Sequence, residues 1–221
     1  MKYLLYDFMQ VAGGAERLML TLAKHLPEVR LVVNRVYSDA MPLMSSNELV
    51  VTQLGNRFTR WMARIPEAIF NFRLRMRFPA TVNAVIYSGF YAPLAVNFQK
   101  SGLKFYYCHT IPRFAYDLYP EARANYHWTI RWLFDCFVLL LRWQYEASIA
   151  KRDVILVNSE NIQVRLRRFL GVHGYVVHPP VAITDFKWLK DDGYYLSVAR
   201  LVPNKRVDDI VQAFLEMPER R

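Results

Sequence analysis

The sequence predicts an α/β fold in which a parallel sheet carries helices on both faces, followed by the start of a second unit of the same kind. Two observations predict it. Short apolar runs of strand character alternate with segments of helical period along the first 180 residues, and strands separated by helices pair in parallel and are covered on both faces. The chain is also large and apolar enough to build such a core, with 221 residues, 53% of them hydrophobic and 15% aromatic.

The elements follow in order. Tyr3 to Asp7 reads as a first short strand, too short an apolar run for a secretory signal. Ala15, Leu18, Met19, Leu22, Ala23 and Leu26 then recur at helical spacing. Further strands are expected at residues 30–36, 49–53, 83–88, 104–108, 153–158 and 175–178, with long helices around 57–78, 122–150 and 159–170. The most apolar stretch, Trp128 to Trp143, is interrupted by Arg131, Asp135 and Arg142. Its longest uncharged run, Cys136 to Leu141, is far shorter than the roughly 20 residues a membrane span needs, so it reads as a buried or interfacial helix. At His178-Pro179-Pro180-Val181 two prolines end a strand and stiffen an extended link. The expected division is residues 1–180 as a first domain, 181–192 as a linker, and 193–221 as the incomplete start of a second domain. In that last piece Tyr194 to Ala199 reads as a strand, and Val207, Ile210, Val211, Phe214 and Leu215 form the apolar stripe of a helix.

Composition narrows the chemistry. Net charge is +10, which favours acidic partners such as nucleic acid, anionic lipid or phosphorylated substrates. Two cysteines, Cys108 and Cys136, make neither a disulfide framework nor a metal pattern, and fit a reducing compartment.

Four motifs carry the candidate chemistry. Gly13-Gly14-Ala15-Glu16 joins the first strand to the first helix. Glycines there let backbone N–H groups approach an anion, and a tight turn with Glu16 as a capping charge fits equally. The spacing is not that of a dinucleotide fingerprint, which disfavours a nicotinamide-dependent oxidoreductase. The second motif, Cys108-His109-Thr110-Ile111-Pro112-Arg113-Phe114-Ala115-Tyr116-Asp117, follows a strand. His109 should therefore sit at the carboxyl edge of the sheet, where open α/β folds take ligands, either orienting a substrate oxygen or serving the structure. Arg113 and Asp117, four apart, are spaced to pair on a helical turn. In the third, Val157-Asn158-Ser159-Glu160, Ser159 is placed to cap the next helix with Asn158 just outside it. In the fourth, Arg200 closes the late strand and Lys205 opens the late helix, two cations beside free N–H groups and so a phosphate site, or else a solvated basic loop.

In this order the motifs resemble glycosyltransferase family 4, the large group 1 family of the two-Rossmann-domain (GT-B) type. The resemblance runs through Gly13-Gly14-Ala15-Glu16, the string CHTIPRFAYD, the string VNSENIQVRLRRF, the link HPPV, and YYLSVARLVPNKRVDDIVQAF, the most specific of them. The string CHTIPRFAYD is similar to that of bacterial mannosyltransferases of surface-polysaccharide assembly. The resemblance implies a Rossmann-like acceptor-side domain and a retaining transfer from a nucleotide-sugar donor, with GDP-mannose the leading candidate. The acceptor would be lipid-linked or a glycan, and no metal is needed. Arg200 and Lys205 match the basic pair on the donor diphosphate. Gly13 and Gly14 match the loop facing the donor phosphate and the acceptor, with Glu16 beside it. His109 matches a cleft histidine near the transferred sugar and is the catalytic candidate; Arg113, Asp117, Asn158 and Ser159 would border the cleft. The family's spaced pair of glutamates has no counterpart, since Glu216 and Glu219 lie in the terminal tail. Two such domains need about 300 residues or more. The expectation is therefore an incomplete enzyme, inactive by itself or completed by a second chain, or else a non-catalytic domain that binds acceptor or membrane.

Residues 57–65 place Phe58, Trp61, Met62 and Ile65 on one helical face and Arg57, Arg60 and Arg64 on another. That pattern suits a helix lying on anionic lipid, and a helix packed on the sheet with a solvated face suits it too. The location expected is cytoplasmic and peripheral at the inner face of the cell membrane. A nucleic-acid partner is disfavoured, because no reading module accompanies the charge.

Overall fold

The computed structural model describes residues 1–41, 49, 51–56, 63–181, 183, 186–199, 201 and 205–217. The chain divides into two compact units, Met1–Pro180 and Val181–Arg221.

The first unit is a seven-stranded, all-parallel sheet, Rossmann-like in its order β3-β2-β1-β4-β5-β6-β7. The strands are β1 (Lys2–Met9), β2 (Val29–Val36), β3 (Val51–Gln53), β4 (Ala84–Ser88), β5 (Leu103–Cys108), β6 (Val154–Val157) and β7 (Tyr175–Val176). Its helices are α1 (Gly14–His25), α2 (Arg64–Phe70), α3 (Tyr119–Ala124), α4 (Arg131–Ile149) and α5 (Glu160–Leu170). Each strand expected within this unit is present, shifted by a residue or two at its ends. The first runs on past Asp7 to Met9, because β2 pairs with it as far as Val36.

Strand alternation sorts the core. Leu4 and Leu31 pair in register and face a cluster with Leu18 and Met19 of α1, whereas Leu5, Tyr87 and Tyr106 face a larger cluster fed by α2, α4 and α5. Successive strand residues point to opposite faces, so one apolar run supplies both cores.

Two expected helices are divided. The 122–150 pattern is α3, a single 3₁₀ turn at Trp128–Ile130, and α4. The chain folds back between them: Tyr126 stacks on Phe134 with centroids 4.7 Å apart, and Arg123 pairs with Asp135 at 2.9 Å. Periodicity misses this break because both pieces are amphipathic on their own. Of the 57–78 pattern, the described part is α2, which runs through Pro66 because a proline in the first turn costs no intrahelical bond. A π-helical turn, Asn71–Arg75, continues it.

In the second unit the expected helix forms as α6 (Val207–Leu215), and Tyr195 packs on its Phe214 at 5.2 Å between centroids. The run Tyr194 to Ala199, expected as a strand, has no ladder among the described residues. A strand needs a neighbour for its N–H and C=O groups, and this unit supplies none among its described residues.

Candidate functional site

The strand order reverses between β1 and β4. At such a switch point the loops leaving the carboxyl ends of two neighbouring strands part in opposite directions and open a crevice. Here a cleft of about 430 Å³ lies over those ends. It is lined by Tyr6 and Phe8 of β1, Glu16 at the start of α1, Arg64 at the start of α2, Phe90 and Tyr91 after β4, and His109, Thr110 and Phe114 after β5.

Its floor is organised by Asp7, which the sequence reading passed over. The buried carboxylate accepts the backbone N–H groups of Phe90, Tyr91 and Ala92, at 2.5, 2.9 and 2.7 Å. This clamps the loop after β4 and satisfies the first amides of the 3₁₀ segment Ala92–Phe98. Burial pushes the Asp7 carboxyl up to about 6, with the three amides pulling it down. Gly89 makes the approach feasible. Its φ is +101°, and a Cβ there would fall 2.4 to 2.6 Å from the Asp7 carboxylate. The signal was a lone acid inside the apolar run Tyr3 to Met9.

His109 stands at the end of β5, edge-on to Tyr6 and Tyr107, with centroids 6.0 and 5.1 Å away. Burial pulls its imidazole down to about 4, so it is neutral at physiological pH. Its Nε2 is buried and has no hydrogen-bond partner among the described residues. Its carbonyl accepts the Asn158 amide at 3.0 Å, which ties the loop after β6 to the loop after β5.

Gly13 and Gly14 stand where the chain enters α1, with no side-chain hydrogen bond capping that helix among the described residues. Gly13 is the N-cap of α1, and the buried Glu16 carboxylate lies 2.7 Å from where a Gly13 Cβ would be. A phosphate approaching this helix end would meet that carboxylate. Burial, with Glu16 and Asp7 nearby, holds the Tyr6 hydroxyl protonated well beyond its usual range.

The remaining candidates are placed as follows. Asp117 bridges Arg113 (2.9 Å) and Arg165 (2.7 Å), so this pair locks the turn after β5 to α5. The Ser159 hydroxyl caps α5 by accepting the Ile162 N–H at 3.4 Å, and donates to Asn158 at 3.0 Å. Arg64, expected on a lipid-facing side, lines the cleft because α2 begins at its rim. Lys205 is exposed in the second unit, just ahead of α6. Arg57, Arg60, Trp61 and Arg200 lie outside the described residues.

No protein-family model matches the chain, and a search of curated proteins gives no match.

The cleft combines the Asp7 and Glu16 carboxylates as hydrogen-bond acceptors, the Arg64 cation, the neutral His109 imidazole as donor or acceptor, and apolar walls from the rings of Tyr6, Phe8, Phe90, Tyr91 and Phe114.

Proposed function

We propose that this chain carries the acceptor-side half of a retaining glycosyltransferase of the family 4 kind. The observation that carries the reading is His109: a neutral imidazole on the cleft, at the carboxyl edge of the sheet, with Nε2 unpartnered among the described residues. A sugar hydroxyl would satisfy that nitrogen, and the aromatic walls would hold the apolar face of a pyranose. The donor is a nucleotide sugar, with GDP-mannose the leading candidate, and the acceptor is lipid-linked or a glycan. Arg200 and Lys205 would hold the donor diphosphate and neutralise the departing nucleotide without a metal. The chain's contribution to rate is positioning and charge stabilisation.

A second reading, a non-catalytic module that binds the acceptor, is favoured by one observation: Tyr194 to Ala199 form no strand among the described residues.

One experiment separates them. The chain is incubated with labelled nucleotide sugars and a polyprenyl-diphosphate-linked glycan, and binding of the free glycan is followed by saturation-transfer NMR. Label transfer that is lost in His109→Ala supports the enzyme. Glycan binding without transfer, again lost in His109→Ala, supports an acceptor-side half that is inactive by itself if the chain also binds the nucleotide sugar, and the binding module if it does not. Neither transfer nor binding overturns both.

A further inference from the structure

We propose that the outer face of α4 is the surface by which this protein docks on an anionic phospholipid bilayer. This goes beyond the glycosyl-transfer reading and does not depend on it. It also concerns an element other than residues 57–65.

The helix is apolar on two sides. Its inner side, with Phe134, Val138, Leu141 and Tyr145, is core. Its outer side presents Trp132, Cys136, Leu139, Leu140 and Trp143, which recur three and four residues apart and so share one exposed stripe. Trp132 is 61% exposed and Trp143 66%, and Trp128 in the preceding turn is 73% exposed. Three of the chain's five tryptophans thus stand in solvent, two along α4 and one in the turn before it. Water penalises such a patch, while tryptophan, with an apolar ring and an N–H, is at home where acyl chains meet headgroups. The helix is nevertheless not long and apolar enough to cross a membrane. It would lie on the surface.

The apolar surface continues past the helix. A crevice of about 40 Å³ lined by Ile69, Phe137 and Leu140 joins α4 to α2, and beyond it Phe70 and Leu74 are half exposed.

Charge selects the occupant. The acidic groups of α4 are already engaged: Asp135 accepts from Arg123 at 2.9 Å and from the Tyr119 hydroxyl at 2.5 Å, and Glu146 accepts from the Tyr116 hydroxyl at 2.8 Å. Arg131, at the start of α4, lines an open cavity of about 520 Å³ with Arg123, and Arg75 and Arg77 are exposed in the segment that follows α2. A second copy of a chain of net charge +10 would be repelled by this one, whereas an anionic bilayer draws cations and indoles to the same plane. The docked helix also backs onto the cleft. Phe137 of α4 stacks on the cleft residue Phe114 with centroids 6.4 Å apart.

The test uses the full chain with phosphatidylglycerol–phosphatidylcholine vesicles and with pure phosphatidylcholine vesicles. Expected are co-sedimentation with the anionic vesicles, weak recovery with the neutral ones, and quenching of tryptophan emission by brominated acyl chains. Trp132→Ser/Trp143→Ser should weaken binding about tenfold or more, and Arg131→Glu should weaken it for anionic vesicles. Unchanged melting temperatures would show that these exposed substitutions leave the fold intact; if the double variant misfolds, Leu139→Ser serves in its place. Three results overturn the proposal: no vesicle binding by the parent chain, equal binding by the folded variants, or a solution mass of two chains that the double variant reduces to one.

Discussion

At the residue scale the cleft depends on one acid and one glycine. Asp7 holds three amides of the loop after β4, and Gly89 leaves room for its carboxylate. Gly89→Ala must place a methyl group on that carboxylate in a backbone conformation that alanine resists. It should cost about 2 to 4 kcal/mol, measured by urea denaturation, and a change within experimental error would refute the clamp. His109 gives a pH prediction. Its imidazole is pulled down to about 4 in the folded chain from an ordinary value of 6.5. The neutral form is therefore favoured by folding, and this stability is present above pH 6.5 and lost as pH falls toward 4. Asp7, pushed up to about 6, acts in the opposite sense: its contribution is fully present below the usual carboxylate range and is lost as pH rises through 6. Between pH 7 and 5 the parent chain should lose stability relative to His109→Gln by about 2 kcal/mol, read from paired denaturation curves. Parallel curves would mean that the ring is free to take its proton.

Elements are held by short-range devices that the sequence announces. Ser159 caps α5 through the Ile162 N–H, so Ser159→Ala should destabilise by about 1 kcal/mol. Ser159→Asp, which keeps an acceptor there, should restore most of it; equal losses in both would point to the hydroxyl's bond with Asn158 instead. The break between α3 and α4 shows the opposite case. No proline or glycine marks it, and it is fixed by the Arg123–Asp135 pair and the Tyr126–Phe134 stack, contacts between residues that local pattern treats as unrelated.

For the whole molecule, all seven strands and both apolar clusters lie within Met1–Pro180. A chain ending at Pro180 should keep the circular dichroism expected for α/β structure and melt within a few degrees of the full chain. Loss of cooperative melting would show that the second unit is needed for the first to fold.

The sequence by itself determined the α/β class, the strands of the first unit and the place of His109 at a strand's carboxyl end. Apolar alternation and helical period are local properties, and within Met1–Pro180 the strands they mark form, whereas Tyr194 to Ala199, with no neighbouring strand among the described residues, does not. It likewise marked Ser159 as a cap, since capping needs only near neighbours. Only the tertiary structure decided that Asp7 clamps a loop more than eighty residues away, that Arg64 turns to the cleft, and that a tryptophan stripe is left outside the core. Burial and hydrogen bonding between distant segments settle such points, because an apolar residue on a helix reads the same in sequence whether a neighbour covers it or not.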